Sequence, residues 1–311
     1  MKIKKPTFWD YKQPNFLSYL LLPFSLPIII NNLFLDLKKN EKKNQATKNI
    51  CVGNIYIGGT AKTPLSIKID QILKDLNFKT ATIKKFYKDQ ADEQKILSKK
   101  TKLYCFKTRQ KALNEAIKDE VEVAIFDDGL QDRSINYDLK FVCFNNITWI
   151  GNGLLIPAGP LREKLKSILK YDAIFLNGND ENTSKLKLEI RKYNKKIEIF
   201  ETYYRPINIK EFDKNEKYLI FSGIGNPDSF KKTLIKNKLH IIKEFKFPDH
   251  HKYTFKDINK IKLAAKTLNA KILTTEKDYV KLPNDVDIKF LEIELAIKQE
   301  NRLINFLRLN I

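Results

Sequence analysis

Cysteine, glycine, proline and arginine are all scarce in this 311-residue chain, and the shortages exclude several classes of protein. Cys51, Cys105 and Cys143 lie far apart and form no CxxC pair, which excludes a disulfide framework and a zinc knuckle and favours a reducing compartment. Ten glycines and eleven prolines, with a 42% hydrophobic share, argue against low-complexity disorder. The length suits two average domains or one large domain.

Positive charge is abundant, but lysine carries almost all of it. The 58 Lys and Arg residues exceed the 37 Asp and Glu residues by 21, which favours an anionic partner such as nucleic acid, a phosphorylated ligand or an acidic membrane. Only seven of the 58 are arginine, the residue that reads phosphate and guanine through bidentate contacts. The net charge therefore does not by itself indicate nucleic acid.

An uncharged segment of 23 residues, 13–35, lies near the start of the chain. Its length reaches the roughly 20 residues that span a bilayer, although Pro23 and Pro27 would kink a helix. A cleaved signal peptide would need a small-x-small cleavage site after the apolar run, and none follows it. A buried core helix is the main alternative. A helix lying in or shallowly inserted into a membrane fits the flanking lysines best. These are Lys2, Lys4, Lys5 and Lys12 before it and Lys38, Lys39, Lys42 and Lys43 after it.

Residues 50–64 read as a short strand, a loop of small residues and the start of an amphipathic helix. A phosphate-binding loop needs this order, because backbone N–H groups at a helix N-terminus hold phosphate while a Lys and a Ser or Thr contact phosphate and Mg²⁺. Tyr56 and Ala61 replace the first and last glycines of the strict GxxxxGK[ST] pattern. An ordinary Gly-Gly turn before a helix remains the alternative.

A second strand, 123–127, ends in the carboxylates Asp127 and Asp128. In phosphate-loop enzymes an acid at the end of a strand holds the Mg²⁺ shell. A solvated Asp-Asp-Gly turn is the alternative, but the phosphate-loop pattern some sixty residues upstream favours the functional interpretation.

Six segments occur in an order that resembles one enzyme family. They are VGNIYIGGTAKTP (52–64), ADEQ (91–94), DDGLQDR (127–133), GNGLLIPAGPLRE (151–163), FPDHH (247–251) and LTTEKDYVKL (273–282). Together they resemble the tetraacyldisaccharide 4'-kinases, which phosphorylate the lipid A disaccharide precursor. GNGLLIPAGPLRE and TTEKD are the most specific, since neither is a general nucleotide-binding pattern.

The resemblance implies an α/β fold with a RecA-like P-loop α/β/α domain, a smaller C-terminal α/β/α domain and an N-terminal membrane-associated helix. We place that helix and its basic flanks at 1–45, the kinase domain at 46–200, an extended linker at 201–216 and the smaller domain at 217–311. The resemblance also implies ATP and Mg²⁺ as cofactors and an acylated disaccharide 1-phosphate as substrate. It implies binding to the cytoplasmic face of the inner membrane, with no nucleic acid and no obligate protein partner.

The same resemblance assigns roles to individual positions. Lys62 would contact the phosphates, and Thr63 would hold Mg²⁺ with Asp127 or Asp128. Asp92 would activate the sugar 4'-hydroxyl, and His250 would orient or tune that carboxylate. The nucleotide loop comprises Tyr56, Ile57, Gly58, Gly59, Thr60, Ala61, Lys62 and Thr63. The supporting phosphate or substrate contacts are Glu93, Gln131, Arg162 and Glu163.

Three departures from the family pattern accompany the resemblance. Residues 85–87 read Lys-Phe-Tyr in place of Arg-Gly-Tyr, Asp132 stands where the family usually has His, and Ala61 replaces a glycine. A positive φ at Ala61 would strain the loop by about 1 kcal/mol or more. The retained residues favour a divergent active enzyme, and a pseudo-enzyme is the alternative.

The second half of the chain alternates strand-like and helix-like patterns. Strands are predicted at 217–222, 240–247, 271–275 and 289–293, and helices at 255–268 and 300–309. On the kinase hypothesis, domain closure would bring His250 to the phosphate loop and exclude water. Two other functions compete: a phosphate-loop ATPase or GTPase that acts on nucleic acid, and a non-catalytic membrane-bound nucleotide-binding protein.

Overall fold

The computed structural model describes residues 5–37, 47–178, 183–283 and 288–311. They form a larger unit, drawn from Met1–Phe86, Lys100–Tyr203 and Leu295–Ile311, and a smaller unit, drawn from Tyr87–Lys99 and Tyr204–Glu294. The lysines predicted to flank the N-terminal helix at positions 2, 4 and 38–43 lie outside the described residues.

The described strands and helices alternate along most of the chain. The strands are β1 (Lys48–Gly53), β2 (Thr80–Lys85), β3 (Leu103–Phe106), β4 (Val123–Asp127), β5 (Leu139–Asn145), β6 (Ala173–Asn177), β7 (Glu198–Pro206), β8 (Lys217–Ser222), β9 (His240–Lys246), β10 (Lys271–Thr275), β11 (Lys289–Leu291) and β12 (Ile293–Ile297). The helices are α1 (Phe16–Leu21), α2 (Leu26–Leu37), α3 (Lys62–Asp75), α4 (Ala91–Lys100), α5 (Arg109–Lys118), α6 (Ser184–Tyr193), α7 (Pro227–Lys236), α8 (Phe255–Thr267), α9 (Glu276–Tyr279) and α10 (Glu300–Asn310).

An eight-stranded sheet in the order β12-β7-β6-β5-β1-β4-β2-β3 forms the centre of the larger unit. Strands β3, β2, β4, β1, β5, β6 and β7 pair in parallel. The inner strands β1 and β4 are buried at every position except Lys48 and are largely apolar, as expected when helices cover both faces of a parallel sheet. Phe126, Phe144 and Ile174 belong to the resulting core.

Strand β1 lies between β4 and β5, with connections leaving toward both sides of the sheet. Val52 of β1 pairs with Asp127 of β4, so the carboxyl ends of the two strands lie side by side. Ligands of open α/β sheets bind at such a switch point, beyond the carboxyl ends of the strands. The topology therefore places the loop after β1 and the carboxylates after β4 at the same edge.

The smaller unit contains a parallel four-stranded sheet in the order β11-β10-β8-β9. Helix α8 begins with a capping box in which Thr254 and Asp257 each bind the other's backbone N–H. The strands predicted at 217–222, 240–247 and 271–275 and the helices at 255–268 and 300–309 are confirmed within one or two residues at their ends. The strand predicted at 289–293 is divided, since β11 ends at Leu291 and β12 begins at Ile293.

The two units are not the continuous ranges 46–200 and 217–311 that the sequence predicted. The proposed linker 201–216 begins as part of β7, a strand of the larger sheet whose Phe200 packs beside Phe175 of β6. Helix α10 belongs to the larger unit, where Phe306 contacts Phe141 and Phe200. Residues 87–99, which include Asp92, belong to the smaller unit.

The N-terminal helical segment turns its polar side toward the protein. Ser18 and Asn152 form a hydrogen bond of 3.0 Å, Ser25 donates to the carbonyl of Leu155 at 3.1 Å, and Asn32 donates to the carbonyl of Arg162 at 3.0 Å. The spacing of seven residues places these three side chains on one face of a helix. Residues 16–34 are long and apolar enough to cross a membrane. The large exposed apolar side chains of this segment are Phe16, Leu17, Tyr19, Leu20, Leu22, Phe24, Leu26, Ile30, Leu33 and Phe34.

Ala61 ends the loop after β1 in a left-handed conformation, with φ of 69°. It is the N-cap of α3, and its side chain accepts no hydrogen bond from the helix. A Cβ in this conformation crowds the backbone, which is why glycine usually occupies such positions. The strain expected from the missing glycine is therefore present.

We expect Ala61→Gly to raise the free energy of unfolding by about 0.5–1 kcal/mol, because glycine adopts a positive φ without that crowding. Thermal unfolding of the purified protein in detergent measures the change. Ala112→Gly is the control, since Ala112 lies inside α5 and the substitution should cost about 1 kcal/mol there. Equal destabilisation by both substitutions would contradict the strain at Ala61.

Candidate active site

The phosphate loop occupies the turn between β1 and α3, as the sequence predicted. The buried Asn54 amide shapes it by donating to the carbonyl of Tyr56 at 2.6 Å and to the Thr60 hydroxyl at 3.0 Å. Gly58 adopts a φ of 142°, which a residue with a side chain rarely accepts. The loop therefore has a defined backbone shape immediately before the N-terminus of α3, the arrangement that binds phosphate.

Tyr56 stands at the first glycine position of the phosphate-loop pattern, and its side chain makes contacts outside the loop. Its ring is buried, and its hydroxyl donates to Asp10 and accepts a hydrogen bond from Lys5 at 2.7 Å. Burial and the neighbouring Asp10 raise the pKa of Tyr56 well above its ordinary value. Only the backbone of Tyr56 is thus available to contact a nucleotide bound in the predicted loop.

Asp127 is fully buried at the end of β4 and has three polar partners from the larger unit. Thr63 donates to its Oδ2 at 3.0 Å, and Ser66 donates to its Oδ1 at 3.3 Å. The ammonium of Lys84, which is buried at the end of β2, lies 2.6 Å from Oδ2. Thr63 and Asp127, both predicted as Mg²⁺ ligands, thus contact each other, beside a buried cation that the sequence patterns did not reveal.

Asp128 connects the loop lysine to the Pro-Leu-Arg-Glu motif. The Lys62 ammonium lies 3.8 Å from Asp128 Oδ1, and Arg162 donates to that oxygen at 3.3 Å and to Gln131 Oε1 at 3.1 Å. Gln131 in turn donates to Glu163 at 2.9 Å. The structure therefore gathers Lys62, Asp128, Gln131, Arg162 and Glu163 into one polar network of the larger unit.

Asp132, one of the departures from the pattern of the family that the sequence resembles, forms an ion pair with Arg109 at 3.0 Å. Burial raises the pKa of Asp132, but hydrogen bonds from Ser134 and the charge of Arg109 outweigh it and leave the pKa below its ordinary value. Arg109 also donates to the backbone carbonyl of Asp128. The substituted position thus holds an ionised carboxylate that pairs with the arginine bound to the Asp128 backbone.

The other predicted catalytic pair forms within the smaller unit. Asp92 is buried in the first turn of α4, and His250 lies in the turn after β9 with a left-handed φ of 56°. Nδ1 of His250 lies 3.0 Å from each carboxylate oxygen of Asp92. Strained backbone of this kind is concentrated at functional sites, and here it belongs to the histidine that meets Asp92.

Two lysines of the LTTEKDYVKL segment surround this pair with positive charge. Lys277 and Lys281 each place an ammonium 3.9 Å from Asp92 Oδ2. Burial raises the pKa of Asp92, but the hydrogen bond from His250 and the charges of both lysines outweigh it and hold the pKa below the ordinary value. Asp92 is therefore a carboxylate at neutral pH.

The predicted site residues thus fall into two groups. Thr63, Asp127 and the Asp128 network lie in the larger unit, whereas Asp92, Glu93 and His250 lie in the smaller unit. Sequence reasoning missed Lys84, Arg109, Lys277 and Lys281. A lysine in the apolar run of β2 was the available signal for Lys84, and Lys277 stands in a motif that supported the resemblance without receiving a role.

We expect Lys84→Met to lower the free energy of unfolding by about 3–5 kcal/mol, because it leaves the Asp127 carboxylate buried without its cation. Thermal unfolding in detergent checks this. Adding Asp127→Asn to Lys84→Met should recover a large part of the loss, since the remaining charge is removed. Lys102→Met is the control, because its ion pair with Asp119 is exposed and should contribute little. Equal effects of the Lys84 and Lys102 substitutions would contradict the role of the buried pair.

Comparison with known proteins shows the family. The chain is 52% identical to the tetraacyldisaccharide 4'-kinase of Pelagibacter ubique over 308 residues, covering 98% of this chain and 97% of that protein. It is 32% identical to the enzyme of the same name from Rickettsia bellii, with 97% of each chain covered.

A solved structure has the same fold. It is the apo form of LpxK from Aquifex aeolicus in complex with ATP, and it covers 95% of this chain and 100% of its own with a TM-score of 0.71 and 24% identity. Residues 16–311 match the family model for tetraacyldisaccharide-1-P 4'-kinase, which includes the phosphate loop, the Asp92–His250 pair and the apolar N-terminal segment. The chain therefore belongs to the tetraacyldisaccharide-1-P 4'-kinase family.

Proposed function

We propose that this chain transfers the γ-phosphate of ATP to the 4'-hydroxyl of a tetraacyldisaccharide 1-phosphate, with Asp92 as the residue that receives the acceptor hydroxyl. This is the reaction of the family, and it makes the chain a lipid A biosynthetic kinase. The observation that carries the residue assignment is the contact of His250 Nδ1 with both oxygens of Asp92. A buried carboxylate oriented on both oxygens is suited to fix a hydroxyl for attack.

The larger unit supplies the residues for the phosphate donor. Lys62 and the backbone of residues 56–63 would contact the phosphates, as in other phosphate loops, and the Aquifex aeolicus structure contains ATP. Arg162 carries a second positive charge in the same network, through its contact with Asp128. Gln131 accepts a hydrogen bond from that arginine and itself donates to Glu163.

The residues around Thr63 fit a Mg²⁺ ion. Among the described residues no group of three or more His, Cys, Asp and Glu side chains forms a complete metal site. A Mg²⁺ ion in a phosphate loop takes only one or two protein oxygens, because phosphate and water supply the rest. The Thr63 hydroxyl with Asp127 or Asp128 would be those ligands. The bound ion would neutralise charge on the transferred phosphoryl group.

Asp92 and His250 supply the acceptor side of the reaction. The lowered pKa of Asp92 keeps the carboxylate ionised, so it accepts a hydrogen bond from the 4'-hydroxyl. A carboxylate of low basicity suffices, since phosphoryl transfer through a loose transition state depends on positioning more than on strong base catalysis. Glu93 follows Asp92 in α4 and contacts Lys277, which places it as a supporting residue.

The N-terminal segment would bind the chain to the cytoplasmic face of the inner membrane. Its serine and asparagine side chains form hydrogen bonds with residues 152–162, while its phenylalanine and leucine side chains are exposed. A water-soluble helix has the opposite arrangement, with its apolar face packed on the core. The exposed face suits lipid, and the acyl chains of the substrate lie in the same layer.

Transfer of labelled γ-phosphate from ATP to tetraacyldisaccharide 1-phosphate, by purified protein in detergent, tests the proposed function. We expect Asp92→Asn to lower kcat about 10²-fold or more, and Lys62→Ala to lower transfer to a similar extent. Asp228→Asn is the matched control, since it removes an exposed carboxylate of α7 and should leave transfer unchanged. No transfer by the wild type would refute the kinase, and normal transfer by both site variants would refute the assignment.

Membrane binding is tested by replacing three exposed phenylalanines of the N-terminal segment, Phe16, Phe24 and Phe34, with serine. Each loses the burial free energy of an aromatic side chain, so we expect binding to anionic phospholipid vesicles to fall at least about tenfold in a flotation assay. Replacing the equally exposed Phe255, Leu263 and Leu309 with serine is the control. An equal loss in both triple variants would show that general hydrophobicity, and not this segment, binds the membrane.

A further inference from the structure

A short segment that precedes the apolar helices packs closely on the larger unit. We call residues 5–10 the N-terminal hook, and its Trp9 is buried. The indole Nε1 of Trp9 donates to the carbonyl of Pro157 at 3.0 Å, and the carbonyl of Trp9 accepts from the N–H of Asn152 at 3.0 Å. A Cβ on Gly151 would lie 2.1 Å from that carbonyl oxygen. The GNGLLIPAGPLRE segment therefore has room for the hook because this position is glycine.

The two ends of the hook meet the phosphate loop at the Tyr56 hydroxyl. This hydroxyl donates to Asp10 and accepts from the Lys5 ammonium at 2.7 Å. The Lys5 ammonium also lies 2.6 Å from Asp10 Oδ1, so each of the three groups contacts the other two. The first and last residues of the hook thus hold one residue of the loop.

The ring and backbone of Tyr56 connect this contact to the rest of the loop. A Cβ on Gly58 would lie 3.2 Å from Tyr56 Cε1, so the ring lies directly beside the backbone of that glycine. The backbone of Tyr56 forms a β-bridge with Leu161, and the N–H of Ile57 donates to the carbonyl of Pro160 at 2.9 Å. The first half of the loop is therefore attached to the hook and to the GNGLLIPAGPLRE segment.

The loop needs support at this end because its other end is strained. Ala61 has a left-handed φ of 69°, and such a conformation persists only where the surrounding structure fixes it. A phosphate loop binds through backbone N–H groups that already point at the ligand, since ordering them during binding lowers affinity. Loss of the support at Tyr56 should therefore weaken nucleotide binding.

We propose that Tyr56 is a positioning residue for ATP: held by Lys5 and Asp10 of the N-terminal hook, it fixes the phosphate loop in the conformation that binds the phosphates. The proposal rests on the proposed function, in which this loop binds ATP. Tyr56 acts through the backbone of the loop, since its hydroxyl is turned to the hook. A glycine at this position of the pattern would offer the hook no hydroxyl.

Equilibrium binding of ATP with Mg²⁺ to the full chain in detergent, measured by calorimetry, tests the proposal. Tyr56→Phe keeps the ring beside Gly58 and leaves the Lys5–Asp10 pair in place, so it removes only the hydroxyl. We expect the dissociation constant of ATP to rise about threefold to tenfold. In the kinase assay the KM for ATP should rise by the same factor, while kcat and the KM for the lipid change less than about twofold.

Tyr104→Phe is the matched control. The Tyr104 hydroxyl also donates to a carboxylate, Asp119, which pairs with Lys102 at 2.9 Å. This group of side chains includes a residue of β3, which two strands separate from β1 and its loop. Tyr104→Phe therefore removes a hydroxyl with the same kind of partners and should leave ATP binding unchanged.

A second substitution tests whether the hook is the partner. Asp10→Asn should also weaken ATP binding, because it removes the charged acceptor of the Tyr56 hydroxyl. The double variant with Tyr56→Phe should bind ATP no more weakly than the weaker of the two single variants, since both substitutions break one contact. Additive losses would overturn the assignment of Asp10 as the partner through which the hook acts.

Backbone hydrogen exchange reports the loop without nucleotide. In the ATP-free protein we expect residues 53–64 to exchange faster in Tyr56→Phe than in the wild type or in Tyr104→Phe. An unchanged ATP dissociation constant in folded Tyr56→Phe would overturn the proposal, as would an equal loss in Tyr104→Phe. If the wild type bound ATP but transferred no phosphate to the lipid, the proposed function would fail, and the binding and exchange results would still decide the role of Tyr56.

Discussion

The burial of negative charge, at the end of β4 and in the first turn of α4, is the constraint on which the rest of the site depends. An acid that orders a metal shell or a hydroxyl must be ionised and fixed, yet an isolated carboxylate away from water is strongly disfavoured. The protein resolves this with cations that are themselves buried or nearly so. Lys84 meets Asp127 in the larger unit, and Lys277 and Lys281 meet Asp92 in the smaller unit.

This distribution changes the meaning of the net charge of +21. The lysines with defined roles each stand opposite a particular carboxylate, and their effect depends on that distance and burial. Many other lysines are exposed or belong to exposed ion pairs such as Lys102–Asp119, which contribute little to stability. A large positive total first suggested nucleic acid among other anionic partners, but the total does not show which lysines lie close to the acids of the candidate site.

Much of the fold could be predicted from the sequence, because hydrophobic periodicity and the order of motifs are local signals. The strand-loop-helix at residues 50–64 and the strands and helices predicted in the second half are confirmed, except that the strand predicted at 289–293 is divided. Pairings between distant segments could not be predicted from the sequence. Lys84 and Asp127 meet only because β2 lies beside β4, and β7 became a strand rather than a linker because β6 and β12 lie on either side of it.

The same difference between local signals and distant pairings applies to the candidate site. The motifs and the resemblance predicted roles for Lys62, Thr63, Asp92, Asp127, Asp128 and His250, and these roles stay predictions. The contact between Lys277 and His250 could not be predicted, because the two residues are 27 positions apart and meet only through the fold. The φ of Ala61 was equally undetermined, since a backbone conformation depends on the whole loop.

The 151–163 segment joins the N-terminal helical segment to the candidate phosphate site. The carbonyl of Arg162 accepts from Asn32 of α2, while the guanidinium of the same residue contacts Asp128. Three residues of the helix, seven apart, bind this one segment, so the helix can be displaced from the larger unit only by breaking hydrogen bonds to the chain that carries Arg162. These contacts fix the position of Arg162 relative to the apolar face of the segment, and they give a structural role to the serines and the asparagine that interrupt an otherwise apolar stretch.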